Sequence, residues 1–95
     1  MSKKRILITG TGSGFGEGTS IGLAQNGYEV IAGVQIWPQV TSLRQKVRWL
    51  GLSNLRVEKL DLLNPYDVGN ALRWDIDILF SNAGIGFLDS EKKPS

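Results

Sequence analysis

The chain has 95 residues, 41 % of them hydrophobic and 21 % charged, with 12 Gly and 3 Pro, the balance of one globular domain at most rather than of a disordered or collagen-like chain. Eleven Lys and Arg against nine Asp and Glu leave a formal charge of +2, too small to argue for nucleic acid. Neither Cys nor His occurs, which excludes disulfide scaffolds, thiolate zinc sites, cysteine nucleophiles and every histidine-based triad or metal site.

In chain order, strand and helix signals alternate. The basic start, Met1 to Arg5, solvates a short apolar run ending at Thr9, which is stopped by glycines from Gly10 to Gly18. That run is too short for a signal peptide, and no stretch approaches the roughly 18 apolar residues of a membrane span. A cytoplasmic protein without a membrane partner is expected. A helix follows from Phe15 to Gln25, with Ile21 and Ala24 inward and Asn26-Gly27 as its stop. Gly18 and Gly22 weaken it unless they permit close packing on a sheet.

Glu29 to Val34 reads as a second buried strand. Pro38 suits a helix's first turn, Val40, Leu43, Val47 and Leu50 form an apolar stripe, and Gly51 ends it. Arg44, Lys46 and Arg48 fall on its solvated face. Asn54 to Lys59 is a third strand leading through Leu60 into Asp61. Asn64 is an N-cap with Pro65 at the first helical position, and Val68, Ala71 and Leu72 supply the inner face. Ile76 to Phe80 is a fourth strand, stopped by Ser81-Asn-Ala-Gly84. Trp37, Trp49 and Trp74 lack the basic interleaving of a nucleic-acid platform and read as packing residues.

This β-α-β-α-β-α-β order predicts an α/β fold, a Rossmann-type doubly wound parallel sheet with four strands and three helices, incomplete on one side. Residues 1–86 form the unit and residues 87–95 a loop or frayed tail. Right-handed crossovers put the C-terminal ends of all the strands on one edge, where such sheets bind ligands.

The segment Thr9-Gly-Thr-Gly-Ser-Gly-Phe-Gly16 lies between the first strand and the first helix. Glycines let a backbone turn sharply and approach a ligand, and a helix N-terminus behind them favours a pyrophosphate. The P-loop spacing fails, since no lysine follows at the required place, and G-x-G-x-x-G fails from every starting glycine. T-G-x-x-x-G-x-G fits, with Thr9, Gly10, Gly14 and Gly16.

On these residues the chain resembles the classical short-chain dehydrogenases/reductases, whose glycine motif has that spacing. Asp61-Leu62 is similar to the family's acidic-apolar pair at the adenine. Ser81-Asn-Ala-Gly84 is similar to its Asn-Asn-Ala-Gly motif, with Ser81 replacing the first Asn. The matches run from about Arg5 to Gly86. The resemblance implies that Gly10, Thr11, Gly12, Ser13, Gly14, Phe15 and Gly16 hold the pyrophosphate and adenosine ribose of NAD(P). Gln35 lies near the ribose 2′ position, Asp61 and Leu62 flank the adenine, and Asn82, Ala83 and Gly84 line the ribose side. Asp61 has a second reading, as a capping or solvated carboxylate, and Asn82 one as a tie between strand ends.

NAD selectivity rests on an acid at the end of the second strand and NADP selectivity on a nearby cation. Here Gly33-Val34-Gln35-Ile36 has neither. The missing carboxylate removes repulsion against a 2′-phosphate and Gln35 offers a donor, so the lean is to NADP. The family's catalytic Ser and Tyr-x-x-x-Lys lie beyond the Asn-Ala-Gly segment; here Tyr28 is followed four residues on by Ala32 and Tyr66 by Asn70. No residue of this chain is therefore expected to be catalytic. The expectation is the cofactor-binding portion of an oxidoreductase that moves hydride between nicotinamide and an alcohol or carbonyl, inactive alone. Its alternative is an inactive, truncated dinucleotide-binding or interaction module. Either would leave a sheet edge unpaired, open to self-association or docking.

Overall fold

The computed structural model describes residues 4–11 and 14–81, with Phe15 described by its backbone alone. The elements are β1 (Arg5–Thr9), α1 (Gly14–Gln25), β2 (Glu29–Val34), α2 (Trp37–Leu50), β3 (Leu55–Lys59), α3 (Pro65–Ala71) and β4 (Ile78–Ser81). The strands pair in parallel in the order β3-β2-β1-β4. This is the expected doubly wound α/β sheet of four strands with three helices.

Residue alternation assigns the two faces. Ile6, Ile8, Val30, Ala32, Val34, Leu55 and Val57 point to one side, where Ala24 of α1 and Val40, Leu43 and Val47 of α2 cover them. Leu7, Ile31 and Leu60 point to the other, against Ala71, Trp74 and Ile76. From β1 the chain steps outward through α1 and α2 on the first face. From β3 it crosses back past β2 and β1 through α3 on the second. Opposite directions on opposite faces preserve one hand, as right-handed crossovers require. Thr9, Val34, Lys59 and Ser81 thereby end on one edge, and the order reverses between β1 and β4.

The helix stops follow the sequence. Gly27 (φ 96°) and Gly51 (φ 70°) adopt the left-handed conformation that closes α1 and α2. Asn64 Oδ1 accepts from the N–H groups of Tyr66 (2.9 Å) and Asp67 (3.4 Å), capping α3 with Pro65 in its first turn.

Several expectations are corrected. Leu72, the C-cap of α3, lines an apolar groove with Val68 and Ala71 but is 81 % exposed rather than buried. Trp37 and Trp49 are not packing residues, being 59 % and 84 % exposed, whereas Trp74 packs beneath the sheet with Arg56 over its ring at 5.6 Å. A Cβ at Gly18 or Gly22 would have no atom within 4 Å, so close packing does not explain either glycine. The fourth strand begins at Ile78, not Ile76: Asp77 N–H donates to Arg5 O (2.9 Å), but Arg5 N–H donates to the Asp77 carboxylate (2.8 Å), so a side chain replaces the ladder there.

The polar side of α2 is more than a solvated face. Arg44 donates from Nε (3.1 Å) and Nη2 (2.9 Å) to Val57 O on the edge strand β3, and Lys46 pairs with Glu17 of α1. Residues 87–95 lie outside the described residues.

Candidate functional site

The loop after β1 is built from inside outwards. Thr9 is buried at the strand's end, and its hydroxyl donates to Ser81 Oγ of β4 at 3.1 Å. Gly10 takes φ 72°, a conformation side chains rarely adopt, and turns the chain out of the sheet. Thr11 then turns inward. It is wholly buried, its hydroxyl 2.9 Å and its N–H 3.4 Å from Gly33 O.

Helix α1 begins at Gly14, and Gly16 is buried in its first turn. The carbonyl of Gly16 accepts from the buried Ser20 hydroxyl at 2.9 Å. The N–H groups of that turn have no partner within the helix and carry its positive dipole end, donors suited to an anion. Glu17 stands in the same turn, where its charge would oppose an anionic ligand, but Lys46 of α2 pairs with it.

At the neighbouring strand ends, Gln35 is exposed just past Val34. Leu60 follows β3 and donates its N–H to Val34 O at 2.7 Å. The Leu60 side chain fills the space over Gly33, where a Cβ would meet Leu60 Cδ2 at 3.0 Å. Asp61 Oδ1 accepts from Leu63 N–H (3.0 Å) and its carbonyl from Asn64 N–H (2.9 Å), holding a tight turn that leaves Leu62 exposed. The carboxylate of Asp61 thus has a local structural role and remains partly accessible.

Beneath that turn, Asp67 Oδ2 accepts from Lys59 Nζ (2.6 Å) and from Asp61 N–H (2.9 Å). The Lys59 ammonium, then the Asp61 N–H, hold the Asp67 carboxyl below the usual carboxylate range. Asp67 and Lys59 are supports the sequence reading missed. An acid three residues after the Asn64 cap was the available signal, and a glycine inside a strand was the signal for the close approach at Gly33.

Of the expected residues, the structure brings Gly10, Thr11, Gly14, Gly16, Gln35, Asp61 and Leu62 to one sheet edge. Gly12, Ser13, Asn82, Ala83 and Gly84 lie outside the described residues, as does the Phe15 side chain. Beside the edge, under α3, runs an apolar groove of about 380 Å³ lined by Leu7, Leu60, Leu62, Val68, Trp74 and Leu79, with Thr9 and Ser81 at one end. Among the described residues, no cluster of acidic side chains suits a metal ion, and no helix is long and apolar enough to cross a membrane.

No family model matches the chain. An uncharacterized oxidoreductase of Myxococcus xanthus is 32 % identical over 98 residues, covering 98 % of this chain and 39 % of the relative. The menthone neomenthol reductase of Mentha piperita shares the fold, with a TM-score of 0.74 at 20 % identity over 99 % of this chain and 40 % of that one. A short-chain type dehydrogenase/reductase from Mycobacterium ulcerans superposes with a TM-score of 0.60 at 28 % identity, over 76 % of this chain and 28 % of that one. The chain is thus similar over nearly its whole length to oxidoreductases, and over most of it to a member of the short-chain dehydrogenase/reductase family. It spans 39 % of the length of the curated relatives it matches. Ser81, at the first position of the segment that resembles Asn-Asn-Ala-Gly, accepts a hydrogen bond from the Thr9 hydroxyl.

Proposed function

We propose that this chain binds NAD(P) across the C-terminal edge of the sheet, as the cofactor-binding part of an oxidoreductase that transfers hydride between nicotinamide and an alcohol/carbonyl pair. The observation that carries the reading is the turn at Gly10, φ 72°, feeding the glycine-rich N-terminus of α1 at the switch between β1 and β4. A backbone turned there without a side chain leaves room for a pyrophosphate against the first turn of the helix. Gly10, Gly12, Ser13, Gly14, Phe15 and Gly16 hold it, with Thr11 buried and bonded to Gly33 O, Lys46 keeps the Glu17 charge from opposing it, and Asp61 with Leu62 borders the adenine.

The bound nicotinamide would supply the hydride acceptor or donor. This chain's residues bind and orient the adenosine half. Neither tyrosine has a lysine four residues on, so the proton-transfer pair of the family pattern is not within this sequence and turnover is not expected from it alone. The preferred cofactor is NADP, because no carboxylate stands at Gln35 to repel a 2′-phosphate. Titration of the chain with NADPH and NADH, followed by quenching of tryptophan fluorescence, tests this. Saturable binding of NADPH, tighter than NADH, is the expected result; no binding of either overturns the reading.

A second reading, an interaction module, is favoured by β4. Ile78, Leu79 and Phe80 are exposed on a strand whose outer edge has no partner among the described residues. Docking of a further strand there is compatible with cofactor binding.

A further inference from the structure

Among the buried polar side chains, Thr11 is distinguished by what it holds. Its hydroxyl and its N–H both donate to a single acceptor, Gly33 O. The Gly33 carbonyl belongs to the peptide unit joining Gly33 to Val34, one residue before Gln35. On its other side Gly33 is confined by Leu60, whose Cδ2 and Cβ would lie 3.0 and 3.2 Å from a Cβ there, and Leu60 N–H binds Val34 O at 2.7 Å. Three strand exits are thus locked together: the glycine loop, the exit of β2 and the turn at Asp61.

We infer that Thr11 is a positioning residue for selectivity between 2′-phosphorylated and 2′-hydroxyl dinucleotides, acting through the Gly33 carbonyl on the path by which Gln35 leaves the sheet. The inference rests on the dinucleotide reading above. The Thr11 hydroxyl is fully committed inside the protein, so it does not reach the ligand. Valine at this position has the same shape and no donor; the Gly33 carbonyl would keep only the longer N–H bond, and its peptide unit would tilt. A ribose hydroxyl exchanges the Gln35 amide for water with little loss. A phosphate needs that donor at a fixed place, and so bears the displacement.

The test titrates the full chain and its Thr11→Val, Thr11→Ser, Gln35→Leu and Thr11→Val/Gln35→Leu variants with NADP+ and NAD+. Thr11→Val is expected to weaken NADP+ binding about fivefold, the scale of coupling between neighbouring residues, and NAD+ binding less than about twofold. Thr11→Ser restores the ratio, and in the Gln35→Leu background the Thr11 change no longer alters it. If circular dichroism shows Thr11→Val unfolded, Thr11→Ala takes its place with the same expected ratio. Equal losses for both cofactors, an unchanged ratio, or an undiminished effect without Gln35 overturn the inference and leave the dinucleotide reading standing. No binding of either cofactor to the unsubstituted chain overturns that reading, and the inference with it.

Discussion

At Gly33 the missing side chain is a packing requirement rather than a freedom. Its backbone is ordinary, but a methyl group would press on the buried Leu60 and stand 3.5 Å from Ile8 O. Gly33→Ala is expected to destabilise the chain by about 1–3 kcal/mol through overpacking, read as a lower urea midpoint at unchanged slope. Gly51 differs in kind, for space is open around it and its φ of 70° is what demands glycine. Gly51→Ala is expected to cost about 1 kcal/mol or more as a left-handed non-glycine residue. Both glycines are visible in the sequence, yet only Gly51 was legible, since a helix stop is a local signal. The conflict at Gly33 involves Leu60, 27 positions on. Thr11 shows the same limit: it was read as a ligand contact, and its bond to Gly33 O, 22 residues away, could not be read from spacing.

Helix α3 is short, with no fully buried residue, and is held mainly through its first turn. Asn64→Ala removes the cap and is expected to cost about 1 kcal/mol, measurable by chemical unfolding. Asp67 ties the same turn to Lys59 and to Asp61 N–H. Its folded pKa lies below the value of about 3.9 expected for an unfolded Asp. The stabilisation is therefore complete above about pH 4 and lost as pH falls through the lower folded value. Unfolding of the parent and of Asp67→Asn, followed from neutral to acid pH, is expected to differ at pH 7 and to converge at acid pH. The boundaries of β1, β2 and α2 were legible because caps, glycines and apolar periodicity agree. The start of β4 was not, because the Asp77 carboxylate competes with the ladder for Arg5 N–H.

For the molecule as a whole, β4 carries the prediction about association. Leu79 is 64 % exposed at the groove, with Ile78 and Phe80 exposed on the opposite face, and the four residues of the strand carry no charge. By contrast the outer carbonyl of Val57 on β3 is covered by Arg44. Among the described residues, one edge of the sheet is covered and the other is not. Concentration-dependent association is expected in sedimentation velocity, reduced by Leu79→Lys, which places a charge on the open strand. A monomer at all concentrations would argue against any role for this edge. An unpaired edge was an expectation from the count of strands; the apolar character of β4 on both faces needed the register.

The position of β1 between β2 and β4 also sets an order of assembly. Its partner residues lie 24 positions away on one side and 72 on the other. Chains are made from the N-terminus, and closing the longer loop costs more entropy. The β1–α1–β2 unit can therefore close while half of the hydrogen-bonding groups of β1 still wait for a strand not yet made. Of the four described strands, the last to join is also the first expected to leave. Under native conditions, the amides bridging β1 and β4 should exchange with solvent deuterium before those bridging β1 and β2.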